Sequence, residues 1–140
     1  MANEKAAERI ALPALKAKKS PLRIIHGDGA LGVRAQGFEV LFSYAEGGPV
    51  SLRAGNREWL WRAPPPAYWR APTENDLGNG FAASSSIWAA ADAWQICEKW
   101  EVLSESEHSL SIRFYYTSPA LPGLKSDVTY TVNDIGIMTV

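Results

Sequence analysis

The groups that stand out for chemistry are two closely spaced carboxylates, two imidazoles and one thiol. Glu74 and Asp76 lie two residues apart in Tyr68-Trp69-Arg70-Ala71-Pro72-Thr73-Glu74-Asn75-Asp76-Leu77-Gly78-Asn79-Gly80, a run that sets anionic, cationic, amide and aromatic groups against two glycines and a proline. Two carboxyl groups about 5 Å apart on opposite sides of a bound sugar can carry out retaining hydrolysis. Residues two apart can approach that separation, but no matched sugar cleft is visible around them. Glu74, Asn75 and Asp76 are therefore read as satisfying loop amides that no ladder would reach. His26 has no second His, Cys or carboxylate at a metal or catalytic spacing and reads as a loop residue, and His108 falls in a polar turn. Cys97 ends an apolar helical spacing with no base near it in sequence, so it reads as an inert buried thiol.

The run itself must be positioned by its backbone. Pro72 fixes its own φ and pushes Ala71 towards extended geometry, while Gly78 and Gly80 admit positive φ, so the chain should leave a strand here and enter an irregular loop. Pro64-Pro65-Pro66 removes three amide donors in succession and predicts a stiff, extended lead into Trp69.

Around this loop the sequence reads as strands. Phe38, Val40, Phe42 and Tyr44 share one face, with Glu39, Leu41 and Ser43 on the other. Gly47-Gly48-Pro49 turns the chain, and Val50 and Leu52 alternate with Ser51 and Arg53. Ala54-Gly55-Asn56 makes another turn before Arg57 to Arg62. Ile87, Ala90, Ala91, Trp94 and Cys97 recur at helical spacing behind Ser84-Ser85-Ser86, which predicts one short helix near 86–95 with serine N-caps and a core-facing stripe. Trp100 and Val102 begin a strand, Leu110, Ile112, Phe114 and Tyr116 alternate cleanly, and Val128, Tyr130 and Val132 follow. Ile137 to Val140 starts a strand that ends mid-pattern, as in a domain cut short.

Composition sets the bounds. In 140 residues, 46% are hydrophobic, enough for a real core. Lys and Arg number 14 against 15 Asp and Glu, a net charge of -1, so charge draws this surface neither to nucleic acid nor to an anionic membrane. One cysteine excludes an intrachain disulfide and fits a reducing compartment, and no zinc site is supported. No segment has the apolar length of a signal peptide or membrane span, so a soluble, cytoplasmic protein is expected. Six tryptophans point to cores, interfaces or sugar-stacking platforms.

Four stretches together resemble the small-chain (C-terminal, fifth) domain of the multidomain β-galactosidases of glycoside hydrolase family 2. Phe38-Glu39-Val40-Leu41-Phe42 looks like its first strand, and Gly48-Pro49-Val50-Ser51-Leu52 like the following glycine turn and strand. The run from Tyr68 to Gly80 is similar to its Trp-Arg-Ala-Pro-Thr-Asp-Asn-Asp-x-Gly signature, with Glu74 in place of the usual Asp. Asp127 to Val140 resembles its closing strand pair. Residues 22–140 look like the N-terminal half of that domain. Residues 1–21 look like a linker and the end of a preceding domain, with Ala6 to Pro13 as its closing strand.

The resemblance implies a partial, antiparallel all-β sandwich of the supersandwich type shared with galactose mutarotases. It implies a fragment of a β-galactosidase, hydrolysing terminal β-D-galactosides, that lacks the two catalytic glutamates of a separate (β/α)8 barrel. Gly78, Asn79, Gly80 and Phe81 would form a mobile rim loop at the galactoside pocket, with Gly78 as hinge. Trp69, Arg70, Pro72, Glu74, Asn75 and Asp76 would form the stem that packs on the barrel. No catalytic residue and no metal ligand is assigned to this chain, the family's magnesium and sodium sites lying outside it. The expected partners are the barrel domain, a galactoside at the composite site, and further copies of the chain covering apolar sheet faces. The alternative is a non-catalytic carbohydrate-binding or assembly sandwich that stacks sugars on exposed aromatic faces.

Overall fold

The computed structural model describes residues 20–140, so all but the last two residues of the segment expected to be a linker lie outside the described part. Strands β1 (Arg23–His26), β2 (Ala30–Ala35), β3 (Phe38–Ser43), β4 (Gly48–Ala54) and β5 (Arg57–Glu58) form one antiparallel meander in chain order. Strands β6 (Ile96–Glu105), β7 (Ser109–Thr117), β8 (Lys125–Asn133) and β9 (Met138–Thr139) form a second. In the chain between β5 and β6 lie three short helices, α1 (Glu74–Gly78), α2 (Phe81–Ser84) and α3 (Ser86–Ala93). The all-β antiparallel sandwich expected from the sequence is what the chain forms.

Period-two alternation builds the core. Phe38, Val40 and Phe42 of β3, with Leu31 and Val33 of β2, face Leu110, Ile112, Phe114 and Tyr116 of β7 and Tyr130 and Val132 of β8, all of them buried. Phe42 bridges the sheets, its ring centroid 6.2 Å from that of Phe114 and 5.7 Å from that of Tyr130. Burying each such ring contributes about 2–3 kcal/mol. The outer face of the second sheet is polar and laced across its ladder. Ser111 and Thr131 share a 2.6 Å hydrogen bond, Arg113 Nε donates to Thr129 at 2.9 Å, and the Tyr115 hydroxyl donates to Glu101 at 2.8 Å.

Several details depart from the sequence reading. Strand β2 precedes the first expected strand, because Leu31, Val33 and Ala35 alternate with Gly32 and Arg34 directly after the turn at Gly27 to Gly29. Pro49 lies inside β4 rather than in a turn. It pairs with Phe42 beside an irregularity in the β3–β4 register, and β5 pairs only with Arg53 and Ala54, so no ladder donor is demanded of its nitrogen. Among the described residues three helices form between β5 and β6, where one was expected. The helical stripe does not face the core: Ala91 alone is buried, and Ile87 and Trp94 are exposed. Helix α3 ends at Ala93, and Cys97 belongs to β6, so the apparent 3.6-residue period continued past the helix into a strand. The serines do not cap α3 either, since the hydroxyls of Ser84 and Ser86 donate back to the carbonyls of Phe81 and Ala83.

Candidate functional site

The approach to the loop is stitched to strand β8 of the second sheet and to the end of helix α3 with the residue before β6. The Tyr130 hydroxyl donates to the Pro64 carbonyl at 3.3 Å, and Gln95 Nε2 donates to the Pro66 carbonyl at 2.6 Å. The Tyr68 amide donates to Asp92 Oδ1 at 2.7 Å, and its hydroxyl bonds that of Ser126. Each partner substitutes for a ladder that three consecutive prolines cannot join. Nearby, the Tyr116 hydroxyl bonds the Gly47 carbonyl.

Beyond Pro72 the loop contains α1. Thr73 is its N-cap and forms a reciprocal capping box with Asp76: the Asp76 amide donates to Thr73 Oγ1 at 3.3 Å, and the Thr73 amide donates to Asp76 Oδ2 at 2.8 Å. That same oxygen accepts from Thr73 Oγ1 at 2.8 Å and from Arg70 Nη1 at 2.6 Å. The Arg70 guanidinium, followed by the Thr73 amide and hydroxyl, holds the Asp76 carboxyl well below the ordinary carboxylate range. Asp76 is thus spent on the turn, while Glu74 stands exposed at the first helical position. The sequence missed this helix because the signature's acidic residues read equally well as loop-amide acceptors. The Thr-x-x-Asp spacing, close to a capping box before a short helix, was the available signal.

Gly78 is the last residue of α1 and does not take positive φ. Gly80 does, at +76°, as the left-handed residue joining α1 to α2. Asn79 Oδ1 accepts from the Phe81 amide at 2.9 Å across this junction. The reversal brings Phe81 back over Trp69, ring planes 3° from parallel and centroids 5.7 Å apart. Tyr68, Trp69, Phe81, Ser85 and Trp88 then line an open aromatic cleft of about 340 Å³. The structure therefore gathers Trp69, Arg70, Asp76, Asn79, Gly80 and Phe81 into one unit.

The remaining candidates lie apart. His26 ends β1 rather than sitting in a loop, and its Nε2 is 2.9 Å from Glu105 Oε2 of β6, a partner too distant in sequence to be foreseen. His108 sits in the β6–β7 turn with Nδ1 2.9 Å from Asp134 Oδ2. The first pair ties the end of β1 to the end of β6 and the second ties two turns together, both at the surface. Burial pushes the Cys97 thiol up, which keeps it protonated and a poor nucleophile. Among the described residues no three His, Cys, Asp or Glu side chains converge as a metal site, and no helix is long and apolar enough to cross a membrane.

Residues 34–140 match the family described as beta galactosidase small chain. The small subunit of a β-galactosidase from Latilactobacillus sakei is 34% identical over 134 residues, covering 82% of this chain and 42% of that protein. A β-galactosidase from Clostridium acetobutylicum is 41% identical over 124 residues, covering 87% of this chain and 14% of that protein. One from Lactobacillus delbrueckii subsp. bulgaricus is 34% identical over 128 residues, covering 89% and 12%. The chain spans less than half the length of each of these relatives.

Proposed function

The chain belongs to the β-galactosidase small-chain family, and from that premise we propose that it is a non-catalytic component of a cytoplasmic β-galactosidase of glycoside hydrolase family 2. In this reading it forms the rim of a galactoside pocket whose catalytic glutamates are carried by a barrel on the larger part of the enzyme. Asn79, Gly80 and Phe81 face the pocket mouth, with Gly78 closing the helix beneath them. Trp69, Arg70, Pro72, Glu74, Asn75 and Asp76 form the stem against the barrel.

The observation that carries this is the state of Asp76. Its carboxylate is held ionised by Arg70 and Thr73, so it cannot donate a proton as a general acid, and its bonded oxygen is unavailable as a nucleophile. The loop is built to hold a shape. Lid action falls to the junction at Gly80, the position with left-handed backbone, rather than to Gly78. The test is hydrolysis of nitrophenyl galactoside. The isolated chain is expected to give none, and turnover by the chain alone that Glu74→Gln abolishes would overturn the reading.

The aromatic cleft beside Phe81 favours a second reading, a sugar-binding module that stacks a pyranose on Trp69 or Trp88. The two separate by tryptophan fluorescence. A shift of the isolated chain on adding galactose or lactose favours binding, and a shift only on adding barrel-bearing polypeptide favours the component reading.

A further inference from the structure

A second surface, on the opposite side of the proline run from the rim loop in sequence, is built as deliberately. Strand β5 is only two residues long, yet the segment after it is fixed by one carboxylate. Glu58 accepts from the Ser51 hydroxyl at 2.5 Å and from the amides of Leu52 at 2.8 Å, Trp59 at 3.1 Å and Leu60 at 3.1 Å. The Trp59 amide also donates to the Leu52 carbonyl at 2.8 Å. The backbone so held presents two indoles to solvent, Trp59 at 55% exposure and Trp61 at 97%. The Arg57 guanidinium lies 4.7 Å over the Trp59 ring. Arg53, Arg57 and Arg62 take no part in the ion pairs among the described residues.

From this we infer that the Trp59–Trp61 face is a second docking surface, in addition to the stem, for the large β-galactosidase polypeptide, seating Trp61 in an apolar pocket with an acidic rim. The inference rests on the component reading above. Tryptophan and arginine are the residues that dominate interface energetics, and a pre-fixed backbone lowers the ordering cost of binding. The unpaired Arg57 over Trp59, with the unpaired Arg62 following Trp61 in the chain, calls for carboxylates opposite. A sugar platform would use acceptors beside the ring as well as donors, and Glu58, the carboxylate adjoining Trp59, is already engaged by the Ser51 hydroxyl and three backbone amides. The relatives say why such a face is needed. The matching segment is part of one long chain in the Clostridium acetobutylicum enzyme and part of a separately named small subunit in Latilactobacillus sakei. Where the peptide linkage is absent, a surface must replace it.

The experiment titrates the full 140-residue chain against the large subunit of the Latilactobacillus sakei β-galactosidase by calorimetry. Binding by the unchanged chain is expected, weakened about 30-fold or more by Trp61→Ala and also by the double change Arg57→Glu with Arg62→Glu. Trp94→Ala, another exposed indole, should leave affinity within about twofold of the original. Because Trp61 touches almost nothing, its removal should not move the urea midpoint, which separates lost docking from lost folding. Binding that Trp61→Ala leaves intact would overturn the surface while sparing the component reading; no binding by the unchanged chain would sink both. A dimer of the chain alone that Trp61→Ala dissolves, or lactose quenching that it abolishes, would assign the face to a second copy or a sugar and equally overturn the inference.

Discussion

Arg70 and Asp76 meet at 2.6 Å across the start of helix α1, on the same carboxylate oxygen that receives the Thr73 amide and hydroxyl. One oxygen therefore joins the Trp-Arg-Ala-Pro stem, the helix cap and the first turn. Thr73→Ala removes the hydroxyl half of the box and should weaken the turn by about 1 kcal/mol. Faster hydrogen exchange at the Asp76 and Leu77 amides, with a change in Trp69 emission as Phe81 loosens, would register it.

The same cluster has a pH signature. The folded Asp76 pKa is depressed by Arg70 and Thr73, so its stabilisation is complete above the ordinary carboxylate pKa and drains away as pH falls below it. Asp76→Asn keeps the size and should remove that acid dependence of loop exchange. An unchanged acid profile would show that the Arg70 contact is not maintained.

Glu58 offers a second titration. Hydrogen bonds from Ser51, Leu52, Leu60 and Trp59 lower its pKa to about 2. Its contribution is present above the unfolded value near 4.5 and is lost as pH falls through about 2. Fluorescence of Trp59 and Trp61 should change over that interval in the unchanged chain, and at neutral pH in Glu58→Gln.

Gly47 and Gly80 share left-handed backbone but not surroundings. A methyl at Gly47 would lie 2.7 Å from Cys97 Cβ and 2.9 Å from Tyr116 Cε1, whereas at Gly80 it would meet open space. Gly47→Ala should cost about 2–4 kcal/mol in urea unfolding, and Gly80→Ala about 1 kcal/mol. Gly78→Ala, at a helical position with free space, should be neutral or slightly stabilising. In an enzyme carrying this segment, Gly80→Ala should alter substrate affinity and turnover while Gly78→Ala does not.

In the core, Phe114→Ala should cost about 3–5 kcal/mol. Tyr130→Phe, which loses only the bond to the Pro64 carbonyl, should cost about 1 kcal/mol. Denaturant midpoints measure both. A small cost for Phe114→Ala would mean the sheets do not pack as described.

What the sequence could show follows from the range of each signal. Strands β3 and β7 were legible because Phe38, Val40 and Phe42, and Leu110 to Tyr116, alternate without interruption and are buried on one face. Strand β2 was obscured by the glycines preceding it, and α1 by acidic residues that suit loops and helix starts alike. Helix α3 was legible in extent, but its buried face was overread, since an eight-residue surface helix needs only Ala91 inside. The site's chemistry was local enough to foresee in part: Arg70 and Asp76 are six residues apart. The partners that brace its approach, Asp92 from helix α3 and Ser126 and Tyr130 from strand β8, are brought in by the tertiary fold and leave no trace in the run itself.

Tyr116 and Tyr130 reach out from one sheet to grip the Gly47 and Pro64 carbonyls, and burial raises the pKa of both phenols. A phenol held neutral in the fold stabilises it below the unfolded pKa near 10, and that contribution fades as alkali rises through the folded value. The protein thus carries its own optical gauge of assembly: in an alkaline titration the tyrosinate absorbance of these two rings should stay silent until the sheets part, and then rise with unfolding.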